Sequence, residues 1–256
     1  MIRLLADVGN SRLKWGRVVP SADDSSGSSW EEVALPVGDE AAWPAVWDTW
    51  NLSKAGPMEW GVSSVNPAVA ADLERFLRER GVDRLRVFRS ALDVPVLHEL
   101  ETPQTAGADR ALGVLGALSL PMISGTSVVV VSCGSAITVD RVLADGLWTG
   151  GAIAPGLALA SDTLHRKTAQ LPFVQVEHAP PAWGRSTTPA IEAGVFWGCV
   201  GTVRELVSRQ SAGLGPDFQV VWTGGDSVVL AEATALPRSQ VVSSLVFRGL
   251  LAALEW

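Results

Sequence analysis

The chain is short of sulfur, of charge and of one aromatic residue altogether: its 256 residues include two cysteines, three histidines, no tyrosine, and only 18% Asp, Glu, Lys and Arg. Each shortage excludes something. Cys133 and Cys199 stand far apart, with no Cys-x-x-Cys pair and no histidine at ligand spacing, so neither a zinc site nor a disulfide framework is expected. Both read as reduced core residues. A net charge of −7 argues against a nucleic-acid partner held by phosphate neutralisation, and the longest basic cluster, His165-Arg166-Lys167, is too short to reverse that. Small anionic substrates stay open, since a local site can be positive on an acidic protein. No apolar run reaches the ~18 residues needed to cross a bilayer, and Arg3 and Asp7 in the first apolar segment spoil a signal peptide. No membrane partner is expected, and the cytoplasm is the expected compartment. What the chain does have is 47% hydrophobic residues, enough for one large core or two medium ones.

The informative residues are concentrated in a few short stretches. In "LLADVGNSRLKWG", residues 4–16, an apolar run ends in an acid, Asp7, turns through Gly9, Asn10 and Ser11, and returns through Lys14. A buried strand gains nothing from a carboxylate. Two readings fit. In one, Asp7 hydrogen-bonds the amides of an ordinary β-hairpin turn. In the other, the acid, the tight Gly turn, the hydroxyl and the lysine serve a phosphate and its Mg²⁺.

The rest of the chain alternates strand and helix patterns, which predicts an α/β protein. "PSADDSSGSSWEE" (20–32) reads as an exposed connection, a poor place to look for chemistry. "WGVSSVNP" (60–67) reads as a strand ending in a turn, followed by a helix closed at Gly81 and a short strand, "RLRVFR". A helix from about Asp109 to Pro121 marks a domain boundary. Beyond it come an apolar strand, a Gly134-Ser135 turn and a returning strand, the same pattern as the opening stretch, so the chain reads as duplicated. Two such turns would grip one polyphosphate between them. A loop and long helix follow, then a Pro-rich connection, a helix over 187–210, a strand into Thr223-Gly224-Gly225, and a closing helix.

"DVGNSRLKWG", "SSVNP", "TPQTAGADR", "CGSAITVD", "GGAIAPGL", "GRSTTPAIEAG" and "TGGD" occur in the order found in type III pantothenate kinases, and over nearly its whole length the chain resembles that family. The resemblance implies two ribonuclease-H-like (actin-like ATPase) domains, 1–117 and 118–256, with an ATP cleft between them. It implies phosphorylation of the primary hydroxyl of pantothenate by ATP, the first step of coenzyme A synthesis, by a homodimer joined through the second domain. On this mapping Asp7, Val8, Gly9, Asn10, Ser11, Arg12, Leu13 and Lys14 form the phosphate hairpin, with Asp7 on Mg²⁺ through water. Gly134, Ser135, Gly224 and Gly225 also contact ATP. Gly107, Ala108, Asp109 and Arg110 form the substrate segment, with Asp109 the general base, and Thr187 reaches pantothenate from the neighbouring subunit.

Each assignment has a plainer rival: Asp109 as a first-turn acid on the helix dipole, Lys14 as a solvated strand residue, Thr187 as a helix cap. Two positions depart from the family pattern. Ser132 stands where many members have an Asp that helps hold a monovalent cation, which puts a K⁺ or NH₄⁺ requirement in doubt. Leu100 stands where a Tyr often contacts pantothenate. These departures favour the alternative of a non-catalytic or regulatory ATP-binding relative, in line with the name Bvg accessory factor carried by some members; Asp7, Lys14, Asp109 and Arg110 together favour the kinase. A metal nuclease on the same fold would need clustered carboxylates and a basic groove, and the acidic chain offers neither.

Overall fold

Strand β1 (Ile2–Val8) is buried on both faces, as a fully apolar run should be, and the first sheet is built outward from it. The structure, a computed structural model, describes residues 1–19 and 29–256. Most of the expected connection at 20–32 lies outside the described residues. Its last four residues begin a strand, β3. Contacts divide the chain into two compact units: Met1–Val96, Glu101–Ser119 and Leu245–Trp256 form unit 1, and Leu97–Leu100 with Leu120–Ser244 form unit 2.

In unit 1 the strands β2 (Arg12–Val19), β3 (Ser29–Pro36), β4 (Met58–Ser64) and β5 (Arg84–Phe88) join β1 in the order β3-β2-β1-β4-β5. The β1–β2–β3 meander is antiparallel, while β4 and β5 run parallel to β1. Alternation along β1 sends Leu4, Ala6 and Val8 to one face. There they meet Trp15 and Trp60, with Trp43 and Trp47 of helix α1 (Trp43–Thr49) and Leu73 and Leu77 of helix α2 (Pro67–Glu79). The Trp15 and Trp60 rings meet edge-on at 5.2 Å. Of these elements, β3 and α1 were not legible in the sequence.

Leu5 and Asp7 point to the opposite face, which carries helix α3 (Ala108–Leu118) and the last helix of the chain, Leu245–Leu254. Leu5 is flanked across the strands by Gly16 and Gly61. A Cβ on Gly16 would stand 2.6 Å from the Phe247 ring and one on Gly61 3.1 Å from Leu254, so the two glycines make the trough in which that last helix lies. Its other side meets α3 at backbone contact: a Cβ on Gly249 would fall 2.0 Å from the Leu112 carbonyl oxygen, and one on Gly116 2.3 Å from that of Leu245. This corrects the expectation that everything after 117 belongs to the second domain. A helix apolar all round needs partners on both sides, and the sheet and α3 of unit 1 provide them.

Unit 2 holds β6 (Val128–Cys133), β7 (Ala136–Val142), β8 (Trp148–Pro155), α4 (Leu157–Lys167), α5 (Thr187–Gln210), β9 (Gln219–Thr223), α6 (Ser227–Thr234) and β10 (Ser239–Val241); the closing helix in unit 1 is thus α7. The sheet order is β10-β9-β6-β7-β8, with β6–β7–β8 antiparallel and β9 and β10 parallel to β6. Counted from the central strand, this is the order and sense of the first sheet. The duplication read from the sequence is therefore a duplication of the sheet as well. Residues Leu97–Leu100 lie beside this sheet through a parallel bridge from His98 to Trp148. Cys133 and Cys199 are free and buried, and burial pushes the Cys133 thiol up to about 12, so neither offers a thiolate near neutral pH.

Gly249→Ala is expected to destabilise the protein by about 1–3 kcal/mol, because the added methyl must force α7 and α3 apart. Gly113→Ala, on the same α3 helix but with no atom near the new Cβ, should be neutral or stabilising by up to ~1 kcal/mol. Denaturant unfolding of both variants distinguishes backbone contact from general helix propensity.

Candidate active site

Two residues beyond the Gly16–Leu5–Gly61 row, about 7 Å along the strands, the corresponding row is Lys14–Asp7–Ser63. Here the face changes from apolar to polar. Ser63 is fully buried, and its hydroxyl lacks a partner of good hydrogen-bond geometry among the described residues. Lys14 Nζ lies 3.2 Å from Glu32 Oε1 on β3. The turn beyond is closed by the Gly9 amide donating to the Arg12 carbonyl at 3.0 Å, and it leaves Asn10, Ser11 and Arg12 exposed. Val8 and Leu13 have their side chains in the core, so their contribution to a ligand is limited to backbone.

Asp109 sits in the first turn of α3, after Gly107 at the N-cap, with Ala108 buried beside it. Its Oδ1 accepts from the Arg110 backbone amide at 2.8 Å and would lie 2.5 Å from any Cβ on Gly107. Two positions before Asp109 the chain carries a glycine, and the carboxylate occupies the space that a side chain there would fill. The helix-dipole reading of Asp109 is met by this placement in the first turn of α3, and the same placement leaves the functional reading open.

The electrostatics join these residues. Burial, followed by the charge of Asp109, raises Asp7 from 3.8 to about 7; Ser63 and Lys14 pull it back and Glu32 adds to the rise. Burial likewise raises Asp109, opposed by the amide and guanidinium of Arg110. Two desolvated carboxylates, one of which raises the other, are short of positive charge. Asp7 makes no ion pair among the described residues, and its acceptor-only oxygens suit a hard divalent cation, so the donor set fits the Mg²⁺ that the motif implied. No group of three or more His, Cys, Asp or Glu able to hold a metal occurs among the described residues, so such an ion would complete its shell with water and ligand oxygens.

The other expected residues are in unit 2. The β6–β7 turn is closed by the Gly134 amide donating to the Ala136 carbonyl at 3.0 Å, and Gly134 and Ser135 are exposed there. Two other backbones crowd this turn. The amide of Gly156, at the N-cap of α4, donates to the Ser135 carbonyl at 3.1 Å, and that of Asp226 donates to the Cys133 carbonyl at 3.2 Å. Gly224 has φ +98° and its Cβ would stand 2.2 Å from the Cys133 oxygen, so the "TGG" turn requires glycine at that point. Ser132 faces Thr138 and Thr223 across the strands, in the register that Asp7 has with Lys14 and Ser63. Thr187 is the first helical residue of α5 and exposed, whereas the N-cap is Ser186, so Thr187 does not serve as the cap.

Sequence reading missed two residues of the unit 1 site. Ser63 stands in the quoted "SSVNP" stretch, and only the β1–β4 register shows that it adjoins Asp7. Glu32 lies at the end of the segment set aside as a connection; the paired acids Glu31-Glu32 before an alternating "VALP" were the available signal of a strand.

A raised folded-state pKa means that the folded protein holds this proton more tightly than the unfolded chain does. The contribution is full below pH 4 and is lost as pH rises through about 7. Asp7→Asn, which keeps the volume and removes the charge, should therefore raise the melting temperature of the ligand-free protein at pH 8 by about 2–4 °C and leave it nearly unchanged at pH 4. Equal shifts at the two pH values would contradict a strained buried carboxylate.

Comparison with known proteins gives the family and the fold. The type III pantothenate kinase family model matches residues 3–209. A relative from Acidiphilium cryptum named type III pantothenate kinase is 31% identical over 242 residues, covering 91% of this chain and 87% of its own. One of the same name from Paramagnetospirillum magneticum is 35% identical over 191 residues, covering 74% and 72%. Among solved structures, a Baf family protein from Campylobacter jejuni superposes with a TM-score of 0.60 at 20% identity, over 98% of this chain and 97% of that one. MreB5 of Spiroplasma citri, bound to ADP, superposes with a TM-score of 0.51 at 10% identity, over 99% and 95%. The structural likenesses place the fold among actin-like ATPases. With a family model over most of its length and relatives above 30% identity, the chain belongs to the type III pantothenate kinase family.

Proposed function

We propose that the protein transfers the γ-phosphoryl group of ATP to the primary hydroxyl of pantothenate, the first step of coenzyme A synthesis. The observation that carries the reading within its family is the pair of buried carboxylates, Asp7 on β1 beside Lys14 and Asp109 on α3, whose charge adds to the rise of Asp7. Phosphoryl transfer has a loose transition state, so most of the catalysis is positioning and charge neutralisation. Bound Mg²⁺ would supply positive charge to the phosphate oxygens, held through water by Asp7. The amides of Gly9, Asn10 and Ser11 and the ammonium of Lys14 would hold the phosphates. Asp109, its pKa raised by burial and its carboxylate aimed by the Arg110 amide, would accept the hydroxyl proton. Arg110 would hold pantothenate. In unit 2 we assign Gly134, Ser135, Gly224 and Gly225 to ATP, supported by the exposure of all four. Ser132 brings a neutral hydroxyl, which supports only weak dependence on K⁺ or NH₄⁺. No helix among the described residues is long and apolar enough to cross a membrane.

A homodimer joined through unit 2 is part of this reading. Around α4 and α5, Leu159, Phe173, Trp183 and Trp197 remain more than a third exposed, an unusual cost for aromatic surface in a monomer. Thr187, exposed and free of capping duty, is assigned to pantothenate bound by the partner.

The experiment is a coupled assay of ADP release with and without pantothenate, repeated in K⁺, Na⁺ and large organic-cation buffers. Release that requires pantothenate and varies little with the monovalent cation is expected. Asp109→Asn should keep nucleotide binding and lose about 10²-fold or more in turnover, the scale of a positioned base. Nucleotide binding without pantothenate-dependent release would instead support a non-catalytic relative, the reading that Ser132 and Leu100 favour. Sedimentation at micromolar concentration should give twice the 27.0 kDa chain mass, and a monomer would remove both the dimer and the role given to Thr187.

A further inference from the structure

The proposed reaction leaves the partner of Lys14 unexplained. Lys14 on β2 stands directly across from Asp7 on β1, the arrangement in which opposite charges on neighbouring strands meet most closely. Its ion pair nevertheless goes the other way, to Glu32 on β3. The register shows why this is possible. Lys14 faces Ala34 on β3, which is short and neutral, and Glu32 faces Gly16, which has no side chain, so the diagonal between the two side chains is open. Glu31 points to the opposite face and pairs with Arg17 at 2.7 Å, leaving Glu32 as the carboxylate β3 offers on this side. At 31% and 28% side-chain exposure, Lys14 and Glu32 are shielded enough to interact and open enough to exchange partners. Beside this ammonium are Glu32 on β3, its ion-pair partner, and Asp7 directly across on β1; Asp7 in turn feels the charges of Asp109, Lys14 and Glu32.

We propose that Glu32 is a positioning residue: it draws the Lys14 ammonium toward β3 and off Asp7, so that Asp7 stays open to a divalent cation while Lys14 stays available to phosphate. This rests on the reading of Asp7 and Lys14 as the phosphate hairpin. With Glu32 neutralised, the ammonium's nearest carboxylate is its directly facing neighbour, Asp7. Lysine and metal then compete for one carboxylate. Glu32 keeps two positive charges on one face from excluding each other by giving one of them its own counter-ion.

The test is metal affinity in the Glu32→Gln variant, read in two ways: Mn²⁺ binding to the protein–ADP complex by electron paramagnetic resonance, and the free Mg²⁺ giving half-maximal ADP release. Both midpoints should rise about fivefold, the upper end for one cross-strand charge pair, with a much smaller effect on turnover at saturating metal. Two further arms separate positioning from mere loss of nearby negative charge. Glu31→Gln makes the same charge change on the other face and should leave Mn²⁺ binding as in the parent. In a Lys14→Met background, Glu32→Gln should have no further effect, because no ammonium remains to compete. Parent-like metal binding in Glu32→Gln, an equal loss in Glu31→Gln, or an undiminished loss in the Lys14→Met background would each overturn the proposal. Failure of the broader reading looks different: Asp7→Asn would then bind Mn²⁺–ADP as tightly as the parent.

Discussion

The first unit is organised around one expensive placement, a carboxylate at the inner end of the central strand. Burying Asp7 without a cation costs enough to raise its pKa to about 7, so the surrounding fold must hold the residue where it would not settle alone. The apolar run Leu4–Ala6 supplies that hold by fixing β1 between β2 and β4. Because side chains alternate, the register that buries Leu4, Ala6 and Val8 also sets Leu5 and Asp7 on the other face, and slipping by one residue would exchange the two sets. The same constraint explains the glycines. Gly16 and Gly61 admit α7 over Leu5, and this helix covers the apolar row while the next, polar row remains for chemistry.

The second sheet repeats the first in order and sense but not in charge. Where unit 1 has Lys14, Asp7 and Ser63 in one row, unit 2 has Thr138, Ser132 and Thr223. A row of hydroxyls carries no formal charge. The duplicated architecture thus holds two differently charged hairpins, with a carboxylate at Asp7 and a neutral hydroxyl at Ser132. In place of charge, unit 2 has close backbone approach: Gly156, Gly224 and the Asp226 amide converge on the β6–β7 turn.

Much of this was legible in the sequence. The hairpin from Asp7 to Lys14, the strand into "TGG" and the helix Thr187–Gln210 follow from apolar runs and turn residues, which are local signals. The pairing of Asp7 with Asp109 was reached by resemblance, since no local pattern links residues on a strand and on a helix a hundred positions later. What escaped is non-local or half-exposed. β3 and β8 alternate buried and exposed residues weakly and look like loops beside a Ser- or Gly-rich segment. Ser63 and Glu32 acquire meaning from register alone, and register is fixed by pairing between strands rather than by either strand's composition. The placement of α7 was misread because its sequence records that it is apolar all round but not which two surfaces it covers.

That placement ties stability to chemistry. Helix α3 carries Asp109 in its first turn and is held against α7 at backbone contact near its other end, so the position of the proposed base depends on the last residues of the chain. Close packing leaves α3 little freedom to move Asp109 away from Asp7 when the two carboxylates repel. The ligand-free site therefore keeps its charges crowded, at the expense of stability, in an arrangement that a cation and a phosphate chain would relieve. A site that relaxed when empty would have to be reorganised at each binding event, and part of the binding energy would go into that reordering. Holding the carboxylates in place through the fold spends the energy once, during folding, and leaves the dipoles and charges already oriented for the transition state, which is where electrostatic catalysis acts.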